Sequence, residues 1–182
     1  MFSGKTTKLL TDLTRFADIG INCLYINHTL DNRSSNNNFS THNSIFTDIS
    51  KKLNNIKISE LKNLNIEKYD VIGIDEGQFF IDINDIVRKW VLDLNKTVII
   101  SSLDGDFEMN LFGEVYKLIP ISYKISKQYA ICTNCIEIFG KYNFAHFSAK
   151  LNNNSTVSQI EIGGREKYTS LCLECYKKHN IT

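Results

Sequence analysis

The chain has 182 residues, a length that allows one full hydrophobic core plus a small appendage but not two large domains. Its formal net charge is +1. A charge so close to zero gives no broad positive field, so we expect no binding to nucleic acid and none to an anionic membrane surface. No apolar run of about 18 residues predicts a membrane span and no secretory signal pattern opens the chain, so we expect a cytoplasmic protein with reduced cysteines.

The chain opens with part of a phosphate-binding motif. Ser3-Gly4-Lys5-Thr6-Thr7 precedes a run of apolar residues at helical spacing that ends near Gly20. Gly-Lys-Thr before a helix is the second half of a P-loop, in which backbone N–H groups hold anionic oxygens. Lys5 would face the β- and γ-phosphates of a nucleotide, and the Thr6 hydroxyl would ligate Mg²⁺. Alone, the motif is more typical of a glycine that starts an ordinary helix.

The first glycine of the P-loop motif, and the strand before it, are not in the sequence. Such a strand would bury three or four large apolar side chains at about 1.5–3 kcal/mol each. The sum of roughly 5–10 kcal/mol is comparable with the net stability of a domain. We therefore expect upstream residues in the natural protein, with Met1 an internal methionine. The alternative is a truncated, inactive P-loop and zinc module that only binds nucleotides.

Strands and helices alternate through the next hundred residues. We predict strands at 23–26, 69–75 and 97–103, a helix at 83–94, and a polar loop at 31–44. The strand at 97–103 has little alternation, which indicates burial on both faces. The pattern predicts an α/β fold of the P-loop, RecA-like type, with a parallel sheet and helices on both faces. A change of character after Pro120 places a boundary near residue 127, between an ATP-binding domain at 1–127 and a small domain at 128–182.

Two adjacent carboxylates follow the strand at 69–75. In this class of sheet, Asp75 would lie beside the phosphate loop and could hold Mg²⁺ or its waters. Glu76 could accept a proton from an acceptor hydroxyl. The alternative is that Asp75-Glu76-Gly77 simply begins a loop and caps the next helix.

Four of the five cysteines form two C-x-x-C pairs, Cys132 with Cys135 and Cys172 with Cys175. This spacing is typical of a Cys₄ zinc site, and a site filled by four protein ligands is structural, not catalytic. Four buried reduced thiols are the alternative. Cys23 lies in a predicted strand and is expected in the core.

These motifs occur in an order that resembles the zinc-containing cellular and viral thymidine kinases. The similar blocks are Met1 to Thr7, Asp31-Asn32-Arg33, Thr41-His42, Ile72 to Phe80, Leu103 to Phe107, Phe112 to Val115, and Ile162 to Tyr168, ending in the second cysteine pair. The resemblance covers nearly the whole chain.

The resemblance implies a reaction and a role for each matching residue. The expected activity is transfer of the ATP γ-phosphate to the 5′-hydroxyl of thymidine, with deoxyuridine left open as a second acceptor. Glu76 would be the general base, Asp75 and Thr6 would serve Mg²⁺, and structural Zn²⁺ would bind the four paired cysteines. The expected ATP- and phosphate-binding residues are Ser3, Gly4, Lys5, Thr6, Thr7, Asp31 and Arg33. The expected nucleoside-binding residues are Gln78, Phe79, Leu103, Phe107, Phe112, Ile160, Ile162, Gly163 and Tyr168, some of them on the family's lasso loop at 160–168. Ordinary core packing is the alternative for the aromatic residues.

The resemblance also implies a homotetramer, located in the host cytoplasm if the chain is viral. Ser34 departs from the family pattern, which has an aromatic residue after the arginine, and the stretch between the cysteine pairs is longer than usual. A zinc ribbon that binds nucleic acid is a third reading, which the near-neutral charge disfavours.

Overall fold

The computed structural model describes residues 2–31, 53–151, 163–164 and 166–179. They form two compact units that interleave along the chain. The sheet unit comprises Lys5–Asp104 and Gly113–Ile125, and the cysteine unit comprises Met1–Gly4, Gly105–Phe112 and Ser126–Thr182. The compactness of a unit does not show that it folds by itself, so the domain boundary near residue 127 stays a prediction.

The sheet unit is built on four parallel strands. They are β1 (Cys23–His28), β2 (Asn54–Ile58), β3 (Val71–Ile74) and β4 (Thr97–Ile100), in the order β2-β1-β3-β4. The helices are α1 (Lys5–Ala17) and α2 (Ile83–Leu92), with 3₁₀ turns at Gly77–Phe79 and Val115–Ile121. The predicted parallel α/β architecture is therefore confirmed.

The two faces of this sheet bury separate apolar clusters. Leu24 and Ile26 of β1 join Ile83 and Trp90 of α2 on one face. Their sequence neighbours Cys23 and Tyr25 join the leucines of α1 on the other face, because successive strand residues point to opposite sides. Helices thus cover both faces, as predicted.

One glycine sets how closely α1 approaches the sheet. A Cβ at Gly73 of β3 would lie 2.4 Å from Cδ1 and 3.0 Å from Cγ of Leu13. Leu13 is fully buried, as are Leu9 and Leu10 one turn earlier. The bare backbone of β3 therefore receives the apolar face of α1.

Two details of the sheet differ from the sequence predictions. β2 was not predicted, because three of the five residues in its sequence Asn-Asn-Ile-Lys-Ile are polar and it follows a polar stretch. β4 is exposed at Thr97 and half-buried at its other three residues, so the prediction of burial on both faces is wrong. Among the described strands β4 pairs only with β3, which explains its exposure.

In the described residues, the cysteine unit consists of two short antiparallel strand pairs and two helices of seven residues each. Its strands are β5 (Ala130–Ile131), β6 (Phe144–Ala145), β7 (Phe147–Lys150) and β8 (Tyr168–Leu171), and its helices are α3 (Thr133–Phe139) and α4 (Leu173–His179). Its core contains three of the paired cysteines, small alanines, Leu171 and Tyr176. Of the helices that are described, none has the length and apolarity to cross a bilayer.

Candidate functional site

The carboxyl ends of three strands of the sheet unit meet at one edge. Ile74, the last residue of β3, pairs with Ile26 of β1 and Ile100 of β4. The residues that follow these positions therefore lie side by side, at the edge where open parallel sheets bind ligands. They include Asp75 after β3 and Ser101 after β4.

Asp75 is a fully buried carboxylate held by hydrogen bonds. The Tyr25 hydroxyl donates to its Oδ2 over 2.9 Å, and the Glu76 N–H donates to its Oδ1 over 3.0 Å. Burial raises the pKa of Asp75 to about 6, with the neighbouring charge of Glu76 acting in the same direction. The hydroxyls of Tyr25, Thr6 and Ser101 oppose that rise by stabilising the ionised form.

Two of those hydroxyls come from the start of α1 and from the residue after β4. The effect of Thr6 on the pKa of Asp75 places the first turn of α1 beside this carboxylate. The Ser101 Oγ is buried and has no hydrogen-bond partner among the residues the structure describes. A buried hydroxyl without a partner marks a place that a water or an ion could complete.

Glu76 adopts a left-handed backbone conformation, with φ 51° and ψ 44°. This conformation costs a residue with a Cβ about 1–2 kcal/mol. Glu76 precedes the 3₁₀ turn without a capping hydrogen bond from its side chain, so helix capping does not explain it. Instead, its Oε2 accepts a hydrogen bond of 2.6 Å from Nε2 of Gln78.

Gln78 links Glu76 to the loop after β4. Its Oε1 accepts hydrogen bonds from the Leu103 N–H (3.0 Å) and the Ser102 hydroxyl (3.1 Å). The main chain of Gln78 is in turn covered by Gly113, where a Cβ would lie only 2.4 Å from the Gln78 carbonyl oxygen. Gly113 also has a φ of +67°, which a residue with a side chain rarely adopts. The predicted residues Glu76, Gln78 and Leu103 therefore form one connected group.

Phe79 and Asp31 meet a residue that the sequence reasoning missed, His28 at the end of β1. The His28 ring lies 5.6 Å from the Phe79 ring and 4.6 Å, edge-on, from the Phe80 ring. The Asp31 N–H donates to the His28 carbonyl oxygen, and the Asp31 carboxylate accepts from Asn27 Nδ2 at 3.2 Å. Asp31 is buried and lies outside any helix or strand, and the rest of the loop predicted at 31–44 lies outside the described residues.

The predicted phosphate-loop residues are divided between the two units. Lys5, Thr6 and Thr7 form the first turn of α1 in the sheet unit, whereas Ser3 and Gly4 belong to the cysteine unit. Arg33 lies outside the described residues. The left-handed φ of +76° at Gly4, directly before α1, is one that glycine adopts without strain.

The four paired cysteines converge on one point. Their sulfur atoms all lie within 4.8 Å of one another, and Cys135 Sγ is 3.8 Å from Cys172 Sγ and 3.7 Å from Cys175 Sγ. A tetrahedral ion with Zn–S bonds of about 2.3 Å separates its sulfur ligands by about 3.8 Å. The cluster therefore has the composition and the dimensions of a metal site.

The cysteine unit also brings together two of the predicted nucleoside-binding residues. The Phe107 ring lies 6.4 Å from the Tyr168 ring and 5.5 Å from the buried Lys150 ammonium. The Tyr176 hydroxyl donates to the Phe107 carbonyl oxygen over 2.6 Å, which ties this loop to α4. Phe112 is buried in the same unit and Gly163 is described, whereas Ile160 and Ile162 lie outside the described residues.

Sequence reasoning missed Tyr25, His28 and Ser101. Tyr25 and Ser101 sit in strands or at strand ends that read as ordinary core, and nothing in their spacing connects them with Asp75. The signal that could have found them is the polar atom itself, since a buried hydroxyl or imidazole needs a partner.

Comparison with known proteins gives a consistent answer. The family profile described as "Thymidine kinase" matches residues 1–176. The chain is 37% identical over 180 residues to "Thymidine kinase" of Fowlpox virus (strain NVSL), which covers 97% of this chain and 92% of that protein. It is 39% identical over 186 residues to "Thymidine kinase" of Choristoneura fumiferana entomopoxvirus, covering 99% and 94%.

A cellular relative shows the same likeness. The chain is 34% identical over 178 residues to "Thymidine kinase, cytosolic" of Gallus gallus, which covers 97% of this chain and 73% of that protein. The match to the family profile runs through the strand-end carboxylates and both cysteine pairs described above. This chain belongs to the thymidine kinase family.

Proposed function

We propose that this chain transfers the γ-phosphate of ATP to the 5′-hydroxyl of thymidine, with Glu76 as the base that accepts the hydroxyl proton. Membership of the thymidine kinase family supports the reaction. The single observation that carries the role of Glu76 is its position directly after a buried strand, next to Asp75. Its backbone is strained there, and the Gln78 amide holds its carboxylate. The alternative of a module that only binds nucleotides is not favoured by these matches.

We propose that the residues around the start of α1 position the ATP phosphates and neutralise their charge, which are the main requirements of phosphoryl transfer. Lys5 would neutralise charge on the β- and γ-phosphates, and the N–H groups at the start of α1 would hold their oxygens. Ser3, Gly4, Thr7, Asp31 and Arg33 are proposed to complete the nucleotide site.

For Mg²⁺, we assign Thr6 and Asp75. The residues present fit this hard cation, because a hydroxyl and a carboxylate are the oxygen ligands it takes, and the orphan Ser101 hydroxyl lies near the same carboxylate. When bound with ATP, the ion would neutralise charge on the phosphate oxygens. Asp75 and Thr6 would hold it directly or through its waters.

For thymidine, we propose contacts from two groups of residues. In the sheet unit these are Gln78, Phe79 and Leu103. In the cysteine unit they are Phe107, Phe112, Ile160, Ile162, Gly163 and Tyr168. Aromatic and apolar side chains suit a planar base, and Tyr168 would reach the sugar. Deoxyuridine is the second acceptor we would test.

For the cysteine cluster, we propose structural Zn²⁺ held by Cys132, Cys135, Cys172 and Cys175. The sulfur spacing supports this ion, and four protein ligands leave no open position for a substrate. The ion would join α3 to α4 within the unit that carries Tyr168. We further propose a homotetramer in the cytoplasm, in keeping with relatives that are named cytosolic.

The test of this mechanism is Glu76→Gln. The amide keeps the shape of the side chain but cannot accept the proton, so kcat should fall about 10²- to 10⁴-fold. ADP formation that depends on thymidine measures kcat, and calorimetric titration with a nucleotide should show binding unchanged. Glu67→Gln, at an exposed position, is the matched control and should keep full activity. Undiminished turnover in the Glu76 variant would remove that residue from its role.

A further inference from the structure

A buried tyrosine hydroxyl of the sheet contacts the carboxylate that follows β3. Tyr25 lies in the middle of β1, opposite Gly73 of β3, and is 0% exposed. Its ring packs in the cluster beneath α1. Its hydroxyl donates 2.9 Å to Oδ2 of Asp75, which follows β3.

Packing alone does not require a hydroxyl at this position. A phenylalanine would fill the same volume, and a buried phenol without a partner costs free energy. A phenol ionises only at about pH 10, so the hydroxyl is a donor at neutral pH. The hydroxyl is therefore directed at the carboxylate.

The bond from Tyr25 fixes the orientation of Asp75. One carboxylate oxygen receives the phenol and the other receives the Glu76 N–H, which leaves neither oxygen free to rotate. Each carboxylate oxygen has a second acceptor site, so both remain able to bind a cation or its waters. Ser101 does not share this task, since its Oγ makes no hydrogen bond with any described residue.

We propose that Tyr25 is a positioning residue for the divalent cation of the kinase reaction, acting from the neighbouring strand through Asp75. This inference rests on the proposed function, which makes Asp75 a ligand of that cation. Tyr25 itself touches neither the cation nor a substrate. Partners of this kind orient metal ligands, and their loss weakens metal affinity or activity about 10- to 100-fold.

The decisive variant is Tyr25→Phe, which removes one oxygen and keeps the ring. The probe is Mn²⁺ added to the full chain saturated with ADP, with free Mn²⁺ measured by electron paramagnetic resonance. We expect the Kd of Mn²⁺ to rise about tenfold. In turnover assays the half-saturating Mg²⁺ concentration should rise by a similar factor, while the KM for thymidine stays the same. Tyr69→Phe, in the buried cluster on the other face of the sheet, should change neither value.

Asp75→Asn separates the inference from the function on which it rests. If Asp75→Asn binds Mn²⁺ as the unaltered chain does, the proposed metal role of Asp75 is wrong and the inference is overturned with it. If Asp75→Asn loses Mn²⁺ but Tyr25→Phe does not, only the role of Tyr25 is wrong. If Tyr25 acts through Asp75, adding Tyr25→Phe to Asp75→Asn has no further effect.

A second measurement covers the case in which Tyr25→Phe fails to fold. Placing 3-fluorotyrosine at position 25 keeps the ring and the phenol. Its ¹⁹F resonance should shift when Mg²⁺ is added to the ADP complex, because the Asp75 partner then gains a cation. A resonance that does not move with Mg²⁺ would overturn the proposal.

Discussion

At the scale of single residues, Glu76 shows how local strain and hydrogen bonding act together. Its left-handed backbone is unfavourable, yet the hydrogen bond from Gln78 and the bond from the Gly77 N–H to the Ser101 carbonyl hold the turn in place. Strain of this kind persists where the surroundings over-determine a conformation, often at active sites. The carboxylate is thus held in one place before any substrate arrives.

His28 makes the stability of the sheet unit dependent on pH. Its Nδ1 accepts the Leu30 N–H at 3.0 Å and its Nε2 lies 3.2 Å from the Ser59 carbonyl oxygen, so Nε2 carries the proton of a neutral ring. Protonation of Nδ1 would break the first bond. Burial lowers the pKa of His28, and Lys57 lowers it further, while Asp82 and Asp31 oppose the shift.

We therefore expect His28 to destabilise the fold in acid. The unfolded chain binds a proton at His28 near pH 6.5 and the folded chain only at lower pH, so stability falls as the pH drops below about 6.5. Asp75 acts in the opposite sense below about pH 6, because its pKa is raised in the folded state. Urea unfolding of the unaltered chain and of His28→Gln, from pH 8 to pH 5, isolates the histidine. The variant should lose less stability in acid, and exposed His146→Gln should behave like the unaltered chain.

The functional residues that could be predicted from the sequence are those that belong to a recognisable motif. Asp75, Glu76 and the four paired cysteines stand out because carboxylates at a strand end and C-x-x-C pairs are rare by chance. Tyr25 and Ser101 could not be found in this way, because their importance arises only when β1 and β4 are placed beside β3. That pairing is a tertiary fact that spacing along the chain does not contain.

At the scale of elements, the close fit of α1 on β3 depends on Gly73. A methyl group there would meet Leu13 at 2.4 Å, which forces the leucine or the helix to move. We expect Gly73→Ala to destabilise the fold by about 1–3 kcal/mol, the usual cost of overpacking. The midpoint of urea unfolding measures this loss. The double variant Gly73→Ala with Leu13→Ala should recover part of it relative to the sum of the two single changes, and strict additivity would contradict the steric explanation.

Elements that bury apolar residues could be predicted from the sequence. Elements whose conformation depends on pairing with a neighbouring segment could not. β1 begins with an apolar run at 23–26 and β3 is Val-Ile-Gly-Ile, and both strands were predicted within two residues of their bounds. β2 contributes only Ile56 and Ile58 to the core and owes its strand conformation to pairing with β1. The loop before α2 depends on Asp82, whose Oδ2 accepts the N–H groups of Leu61 and Lys62, a contact between segments far apart in sequence.

At the scale of the whole molecule, the two units differ in what stabilises them. The sheet unit has two extended apolar clusters, whereas the core of the cysteine unit includes three alanines and the thiols themselves. A core so small contributes little hydrophobic free energy. The metal that we propose between the thiols would supply the rest, since structural zinc binds zinc-finger peptides with about 10–16 kcal/mol.

Removing that metal should therefore unfold the cysteine unit selectively. We expect a strong chelator to release one Zn²⁺ per chain, to expose 126–151 and 166–179 to protease, and to leave the sheet unit protected. Mass spectrometry of the fragments measures both effects. Cys23→Ala, in the core of the sheet unit, should keep the full zinc content. Unchanged proteolysis after complete zinc release would contradict a structural role.

The contact between Gly113 and Gln78 has a consequence for how this enzyme can vary. Gly113 has no side chain that could take part in a reaction. Its backbone packs against the main chain of Gln78, whose side-chain amide holds Glu76. A codon change that adds a single methyl at Gly113 would therefore press on the Gln78 main chain and shift Glu76, which we propose as the proton acceptor. Because a Cβ at Gly113 would meet main-chain atoms of Gln78, no other side chain at position 78 would relieve that clash, and position 113 stays restricted to glycine whichever residue holds Glu76.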